Sequence, residues 1–367
     1  MRVIYKRLVT KSGSEQDVLY IPDKCVITHS HYLDNYLYSS KDDWLRKYGK
    51  AKGIMEREIE ADEASVNRLV EIGELYIDPR GRIHDIDNEE FRLLFKTLAG
   101  GRVMKTLTAE SIKKILRAKT IGEPIYLFEE VGSTNEVACE LGRNGAIHGT
   151  VVIADSQTRG RGRLQRKWIS PPGLNLYMSV VFRPNIDPSD APLLTFVAAV
   201  AVYEAVKGQG ANASIKWPND VLIDNKKVAG MLTEMQTKGE RVDFVAVGIG
   251  VNLNMTREIM EKEMGEVAEI ATSLTEATGQ EIDRTKFIAT LIDELEIWYQ
   301  RFMSEGKTLI IKEWTERWGS SNRRVRAIYD ENMVEGIATG VNENGHLVLK
   351  KDDGTTEVIV AGDVVLI

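Results

Sequence analysis

Apolar and polar positions follow two rhythms along this chain. Up to about residue 319, short apolar runs of strand length are interleaved with stretches in which apolar residues recur every three or four positions; beyond it, only strand-length runs remain. The runs predict strands at residues 125–128, 150–154, 174–182, 213–216, 221–223, 227–235 and 242–247. Helical spacing predicts a helix over 107–116, with Thr108 as cap, Glu110 and Ser111 in the first turn, and a stripe of Ile112, Ile115 and Leu116. A second follows Ser133-Thr134-Asn135, where Val137, Ala138 and Leu141 keep the period. Residues 192–206, rich in Ala and Val, predict a helix buried against a sheet, and residues 287–302 a further one.

Punctuation sharpens this outline. The strand at 213–216 stops at Pro218, with Asn219 and Asp220 at the bend, and Asp224-Asn225 predicts the turn of a hairpin whose second strand opens at Lys227. Strand-length runs at 324–329, 333–341, 346–351 and 356–360, separated by Asp-, Asn- and Gly-rich turns, predict a small β-barrel. Residues 1–105 are less legible. Strands are expected at 2–9 and 18–21, helices at 42–48 and 61–72, and a hairpin at 75–86 with Arg80 and Arg82 at its tip. A helix before such a hairpin could be the recognition helix and wing of a DNA-binding domain; a small α+β module that binds no DNA is the favoured alternative.

Composition adds bounds. A chain of 367 residues is long for one domain and predicts two or three. Cys25 and Cys139 offer neither a disulfide framework nor zinc spacing, which suits a reducing cytoplasm. The histidines are scattered; His29 and His31, which share a face if extended, read as a surface pair. No apolar run is expected to cross a membrane, since the best, 196–206, is short and carries Glu204. The net charge of −7 is uneven: residues 1–120 hold 22 Lys and Arg against 19 Asp and Glu, and the remainder 26 against 36. An acidic body makes any basic cluster a local device rather than a nucleic-acid coat.

That cluster lies at residues 155–168, where Gly160-Arg161-Gly162-Arg163 precedes Lys167-Trp168 between two strand-like runs. Glycine permits close backbone approach and arginine grips phosphate or carboxylate oxygens bidentately, so an anionic ligand is expected. A mobile solvated loop is the bland alternative. Ser133-Thr134-Asn135 is either a helix cap or a polar ligand contact.

Taken together, Ser133-Thr134-Asn135, Gln157 with Gly160–Arg163 and Lys167-Trp168, Lys216-Trp217-Pro218-Asn219-Asp220, Lys227-Val228-Ala229-Gly230 and Gly248-Ile249-Gly250-Val251-Asn252 resemble the biotin protein ligases, in order and spacing, over residues 106–367. The resemblance implies an α+β fold: a class II aminoacyl-tRNA-synthetase-like catalytic domain with a mixed sheet at 123–319, a linker helix at 106–122, an SH3-like barrel at 320–367 and a separate domain at 1–105. It implies that ATP and Mg2+ support activation of biotin to biotinyl-5′-adenylate and transfer to a lysine of a biotin carboxyl carrier domain. By the same resemblance Lys227 bridges the biotin carboxylate and the α-phosphate, and Arg161 and Arg163 clamp phosphates, with Gly160 and Gly162 letting the loop fold over. Ser133, Thr134, Asn135 and Gln157 then line the biotin end. Asn252 faces the nucleotide, and Lys216, Asn219 and Asp220 contact phosphate or magnesium. Trp168, Trp217 and Cys139 read as packing. A homodimer through the sheet edge is compatible.

The chain departs from the family at 255–270, which looks helical and charged where the family carries a nucleotide-covering loop, and at 1–105, which matches no N-terminal domain of the family. The rival readings are a lipoate–protein ligase or octanoyltransferase and a biotin-responsive DNA-binding regulator.

Overall fold

In a computed structural model the chain divides into two compact units, Met1–Thr106 and Leu107–Ile367. The structure describes residues 107–329 and 332–367, and within 1–106 the backbone of seven strands. Five of these, β1 (Ile4–Val9), β2 (Glu15–Ile21), β3 (Cys25–Thr28), β4 (Leu37–Tyr38) and β5 (Ile54–Glu56), form an antiparallel sheet in the order β4-β3-β2-β1-β5. The remaining two, β6 (Tyr76–Ile77) and β7 (Ile83–His84), pair as the expected hairpin. The helices expected at 42–48 and 61–72, the arginines at the hairpin tip, and the side chains of Cys25, His29 and His31 lie outside the described residues.

The second unit opens with α1 (Ala109–Ile115), capped as the sequence predicts: Thr108 and Ser111 form a reciprocal capping box. Residues 117–121, expected within a linker, lie instead against helix α6 (Arg284–Glu305). Asp293 accepts the N–H groups of Arg117 and Ala118 at 2.8 and 2.7 Å; Glu296 accepts those of Lys119, Thr120 and Ile121 at 2.6–2.8 Å. Charged acceptors strengthen each bond, so two nearly buried carboxylates fix five consecutive backbone donors.

A seven-stranded sheet follows: β8 (Ile125–Val131), β9 (Thr150–Gln157), β10 (Leu176–Phe182), β11 (Ala213–Lys216), β12 (Asp220–Ile223), β13 (Lys226–Lys238) and β14 (Arg241–Val251), in the order β11-β12-β13-β14-β10-β9-β8. Only the β8–β9 pair is parallel. One face packs on α3 (Leu194–Lys207), α6 and α7 (Lys307–Glu316), with Ile153, Met178, Val180, Val247 and Val251 in that core. The other carries α2 (Thr134–Arg143) over Val152, Val181, Phe244 and Ala246. Strand β10 is buried along its whole length, as a central strand covered on both faces must be.

The reason against a membrane span, that no run is long and apolar enough, needs a correction. Joined to the 3-10 turn Pro188–Leu193, helix α3 reaches the length and apolarity of a membrane-spanning helix. Ten of the residues of α3 are buried in the domain, and each fully buried valine or leucine contributes roughly 1.5–3 kcal/mol there, so this hydrophobicity builds the core.

Behind the β8–β9 connection, His148 accepts the backbone N–H of Arg183 through Nδ1 at 3.1 Å, and its ring lies 4.7 Å from that of Tyr299. Burial lowers its pKa from the ordinary value near 6.5, against an opposing pull from Glu296. A group whose folded pKa is depressed contributes stability that is fully present above its unfolded pKa and is lost as pH falls below it. Denaturant midpoints at pH 7.5 and 5.5 should therefore fall further apart in the wild type than in His148→Gln; equal differences would remove this histidine from the acid response.

The C-terminal part is an all-antiparallel five-stranded domain of SH3-like kind: β15 (Arg324–Tyr329), β16 (Asn332–Val341), β17 (Leu347–Lys350), β18 (Thr356–Ile359) and β19 (Asp363–Leu366), in the order β18-β17-β16-β15-β19. Strand β19 was not expected, because four residues after Gly362 carry too little pattern until they pair with β15. The Asn342–Gly345 turn ties this domain to the bend after β11: Trp217 donates through Nε1 to the Gly345 carbonyl at 3.0 Å.

Candidate active site

The face of the sheet that carries α2 changes character along its strands. On β14 the side chains pointing to that face shrink from Phe244 and Ala246, under the body of α2, to Gly248 under Asn135 of its first turn and Gly250 under Trp168. The glycines continue the ladder: Gly248 pairs with Ser179 and Leu232, Gly250 with Tyr177 and Gly230. Removing side chains from one face of an intact sheet leaves a hollow. It is a cavity of about 810 Å3.

Ser133 precedes α2 in extended conformation, but its side chain makes no capping hydrogen bond. The cap comes from the neighbouring strand. Gln157 Oε1 accepts the Thr134 N–H at 2.8 Å and its hydroxyl at 3.2 Å, while Gln157 Nε2 donates to Ser170 at 3.0 Å. Ser179 donates to Thr134 Oγ1 at 2.9 Å, and Asn135 donates to Glu234 at 2.9 Å. Asn135 Oδ1 is buried without a protein partner, an acceptor open to a ligand N–H or water. Cys139 donates to the same glutamate; burial and Glu234 push its thiol up to about 12, so it is inert packing, as the sequence suggested.

The basic loop folds back on itself. Trp168 N–H donates to Gly160 O at 2.9 Å and Gly162 N–H to Arg166 O at 2.7 Å. The turn uses left-handed residues that are not glycine, Leu164 and Gln165, at φ 54° and 58°. Gly160 serves close approach instead: a Cβ there would lie 2.5 Å from Trp168 O. The loop delivers Trp168 onto bare sheet, its indole against Gly230 and Gly250, with Lys227 Nζ 5.4 Å from its ring. Trp168 was expected to be packing; it packs, and its exposed side is a wall of the cavity. Trp217 is buried in the core.

Lys227 sits on β13, its Nζ 2.6 Å from Asp220 Oδ1 across the hairpin. Asn219 donates to Met231 O at 2.6 Å and Asn252 to Thr272 O at 3.0 Å, so both amides brace backbone; Asn252 Oδ1 stays buried and unpartnered. Every residue given a ligand-binding role from sequence lines this one cavity except Gly160, which packs against Trp168 and Ser170. Sequence reasoning gave no role to Arg166 or Ile249 and missed Tyr177 in the lining, and Ile328 and Asp363, brought in by the C-terminal domain. Tyr177 could have been found from period-2 alternation; Ile328 and Asp363 left no local signal.

The match to known proteins decides the family. Residues 127–252 match the Biotin/lipoate A/B protein ligase family and residues 320–367 the Biotin protein ligase C terminal domain. The bifunctional ligase/repressor BirA of Bacillus subtilis is 35% identical over 283 residues, which are 76% of this chain and 86% of that one. A biotin–[acetyl-CoA-carboxylase] ligase of Paracoccus denitrificans is 35% identical over 63% of this chain and 96% of its own. The biotin protein ligase from Aquifex aeolicus in complex with biotin and ATP superposes with a TM-score of 0.56 at 28% identity, over 67% of this chain and 99% of that one. The chain belongs to the biotin protein ligase family.

Charge in this ligase cavity is lopsided. Arg161, Arg163, Arg166, Lys167, Lys216 and Lys227 face Asp220 and Asp363, an excess of four positive charges in a chain that is acidic overall. Burial lowers the pKa of Arg163, with Asp363 and Asp220 pulling the other way, and its Nη1 donates to Gly362 O at 3.1 Å. Arg166 pairs with Asp363. The basic loop of the ligase is thus moored to the C-terminal domain. The segment expected to be helical and charged is so: α4 (Arg257–Met264) and a 3-10 turn (Gly265–Ile270) place Met264, Val267 and Ile270 at the cavity. Among the described residues no three His, Cys, Asp or Glu side chains form a metal site.

Proposed function

We propose that this chain is an ATP-dependent biotin–protein ligase. The observation that carries the reading is Lys227, held by Asp220 and Trp168 between a neutral hydrogen-bonding end (Ser133, Thr134, Asn135, Gln157) and the basic loop. A ligand with a polar neutral head and an anionic tail fits that order. In the first half-reaction a biotin carboxylate oxygen attacks the α-phosphorus of ATP and pyrophosphate leaves. In the second, the ε-amine of a carrier-domain lysine attacks the acyl carbon of biotinyl-5′-adenylate, AMP leaves, and the amine gives up a proton.

This chain's residues contribute position and charge. Lys227 neutralises the two approaching anions, Arg161 and Arg163 hold phosphate oxygens, and Asn135 Oδ1 accepts from the ureido head. Lys216 and Asp220 lie at the phosphate end, and Asn252 toward the nucleotide. Magnesium, which enters such sites on substrate phosphates plus a carboxylate or two, would find Asp220, one of the two cavity carboxylates, with Asn219 beside it; the other, Asp363, pairs with Arg166. A cytoplasmic enzyme, with a homodimer formed through a sheet edge, is part of this proposal. Repression, named for the Bacillus relative, is not: the residues that would touch DNA lie outside the described residues.

The test is pyrophosphate release and mass shift of a biotin carrier domain, with ATP, magnesium and either biotin or lipoate. Modification with biotin alone is expected. Modification with lipoate alone would overturn the proposal in favour of the lipoate branch of the same fold.

A further inference from the structure

Two arginines of the basic loop share one counter-ion. Glu136, in the first turn of α2, lies 2.9 Å through Oε1 from Arg161 Nη2, and its Oε2 accepts from Arg159 Nη2 at 3.1 Å. The carboxylate therefore spans Gly160, the point at which the loop presses against Trp168 and Ser170. Arg159 is pinned a second time, since its guanidinium rests on Gly132, where a Cβ would lie 2.7 Å from Nη2, and its N–H donates to Gly132 O at 2.8 Å. Arg161 keeps a buried Nε that has no protein partner, and its side chain lines the cavity.

We propose that Glu136 is a positioning residue for Arg161: it ties the loop to the helix that carries Asn135, so that Arg161 meets the ligand at a fixed depth. The competing account is that a first-turn glutamate merely complements the N-terminus of its helix. The two differ in what they predict for the amide. A helix-dipole role depends on the charge, so Glu136→Gln would resemble Glu136→Ala. A tether rests in part on the hydrogen bond from Arg159, so Glu136→Gln, whose amide oxygen can still accept it, restores part of the loss.

This inference rests on the ligase reading, and the experiment separates the two. In Glu136→Ala, kcat/KM for adenylate formation should fall about tenfold to fiftyfold, carried by KM for ATP, as expected when a phosphate-gripping group is misplaced by about 1 Å. Glu136→Gln should recover at least half of that loss on a logarithmic scale. Glu136→Ala/Arg161→Ala should be no worse than Arg161→Ala, because contacting residues are not additive. Trypsin should cut the 158–168 loop of folded Glu136→Ala about fivefold faster than that of the wild type. An Arg161→Ala defect without a Glu136→Ala defect would overturn the tether and leave the ligase reading intact. An inactive wild type would sink the ligase reading, and the tryptic rates would then decide the tether alone: equal rates refute it.

Discussion

Lys227→Ala should slow biotinyl-adenylate formation by roughly 10²–10³-fold, the usual cost of removing one preorganised electrostatic contact at a reacting centre. The reason is repulsion. Two unit anions about 4 Å apart repel by about 4 kcal/mol at an effective dielectric constant of 20, and one ammonium between them reverses the sign of that interaction. Asp220, only 2.6 Å from Nζ, fixes where the ammonium stands, and Trp168 covers its flank. The variant should fold, because the lysine side chain is one-third exposed and rises from a strand whose ladder does not depend on it. Transfer from preformed biotinyl-adenylate should lose far less, about tenfold or under, since carboxylate and phosphate are already joined. Pyrophosphate exchange and single-turnover transfer measure the two steps. Equal losses in both would mean that Lys227 builds the site rather than serving activation.

Gly250→Ala should weaken biotin binding by about 10²-fold while costing the fold much less. A Cβ at Gly250 would lie 2.5 Å from Trp168 Cε2 and 2.7 Å from Nε1, so the indole must move. Gly230, directly across the ladder, completes the platform under the same ring. A wall displaced by about 1 Å can cost 10²-fold in a positioned site. Alanine in a strand loses less backbone entropy on folding than glycine does, and that gain of about 0.4–1 kcal/mol offsets part of the cost of displacing the ring. Affinity should therefore fall further than stability. Calorimetric titration with biotin, beside a urea unfolding curve, reads both; unchanged affinity would show that the ring's position is irrelevant to the ligand.

What could be read along the chain shares one property: its cause lies within a few residues. The capping box of Thr108 and Ser111, the Asp224-Asn225 turn with its two left-handed residues, the buried Ala- and Val-rich helix α3 and the β15–β18 strands all follow from local dihedral preference and local period. The family resemblance is of the same local kind, five short motifs in order, and the structure gathers their residues around one cavity.

The sequence by itself determined most elements and turns of residues 107–367 and which residue types stand where. Only the tertiary structure decided their partners. Ser133 had the chemistry of a cap, yet Gln157 caps α2 from 23 residues away. Gly160 and Gly162 invited a bent loop, yet Leu164 and Gln165 make the turn and Gly160 makes room. Residues 117–121 had the look of a linker until Asp293 and Glu296, some 175 positions on, took up their N–H groups. In each case two side chains or backbone groups meet because sheet register and helix packing bring them together, and the pattern of a single segment carries no trace of which distant group will satisfy it.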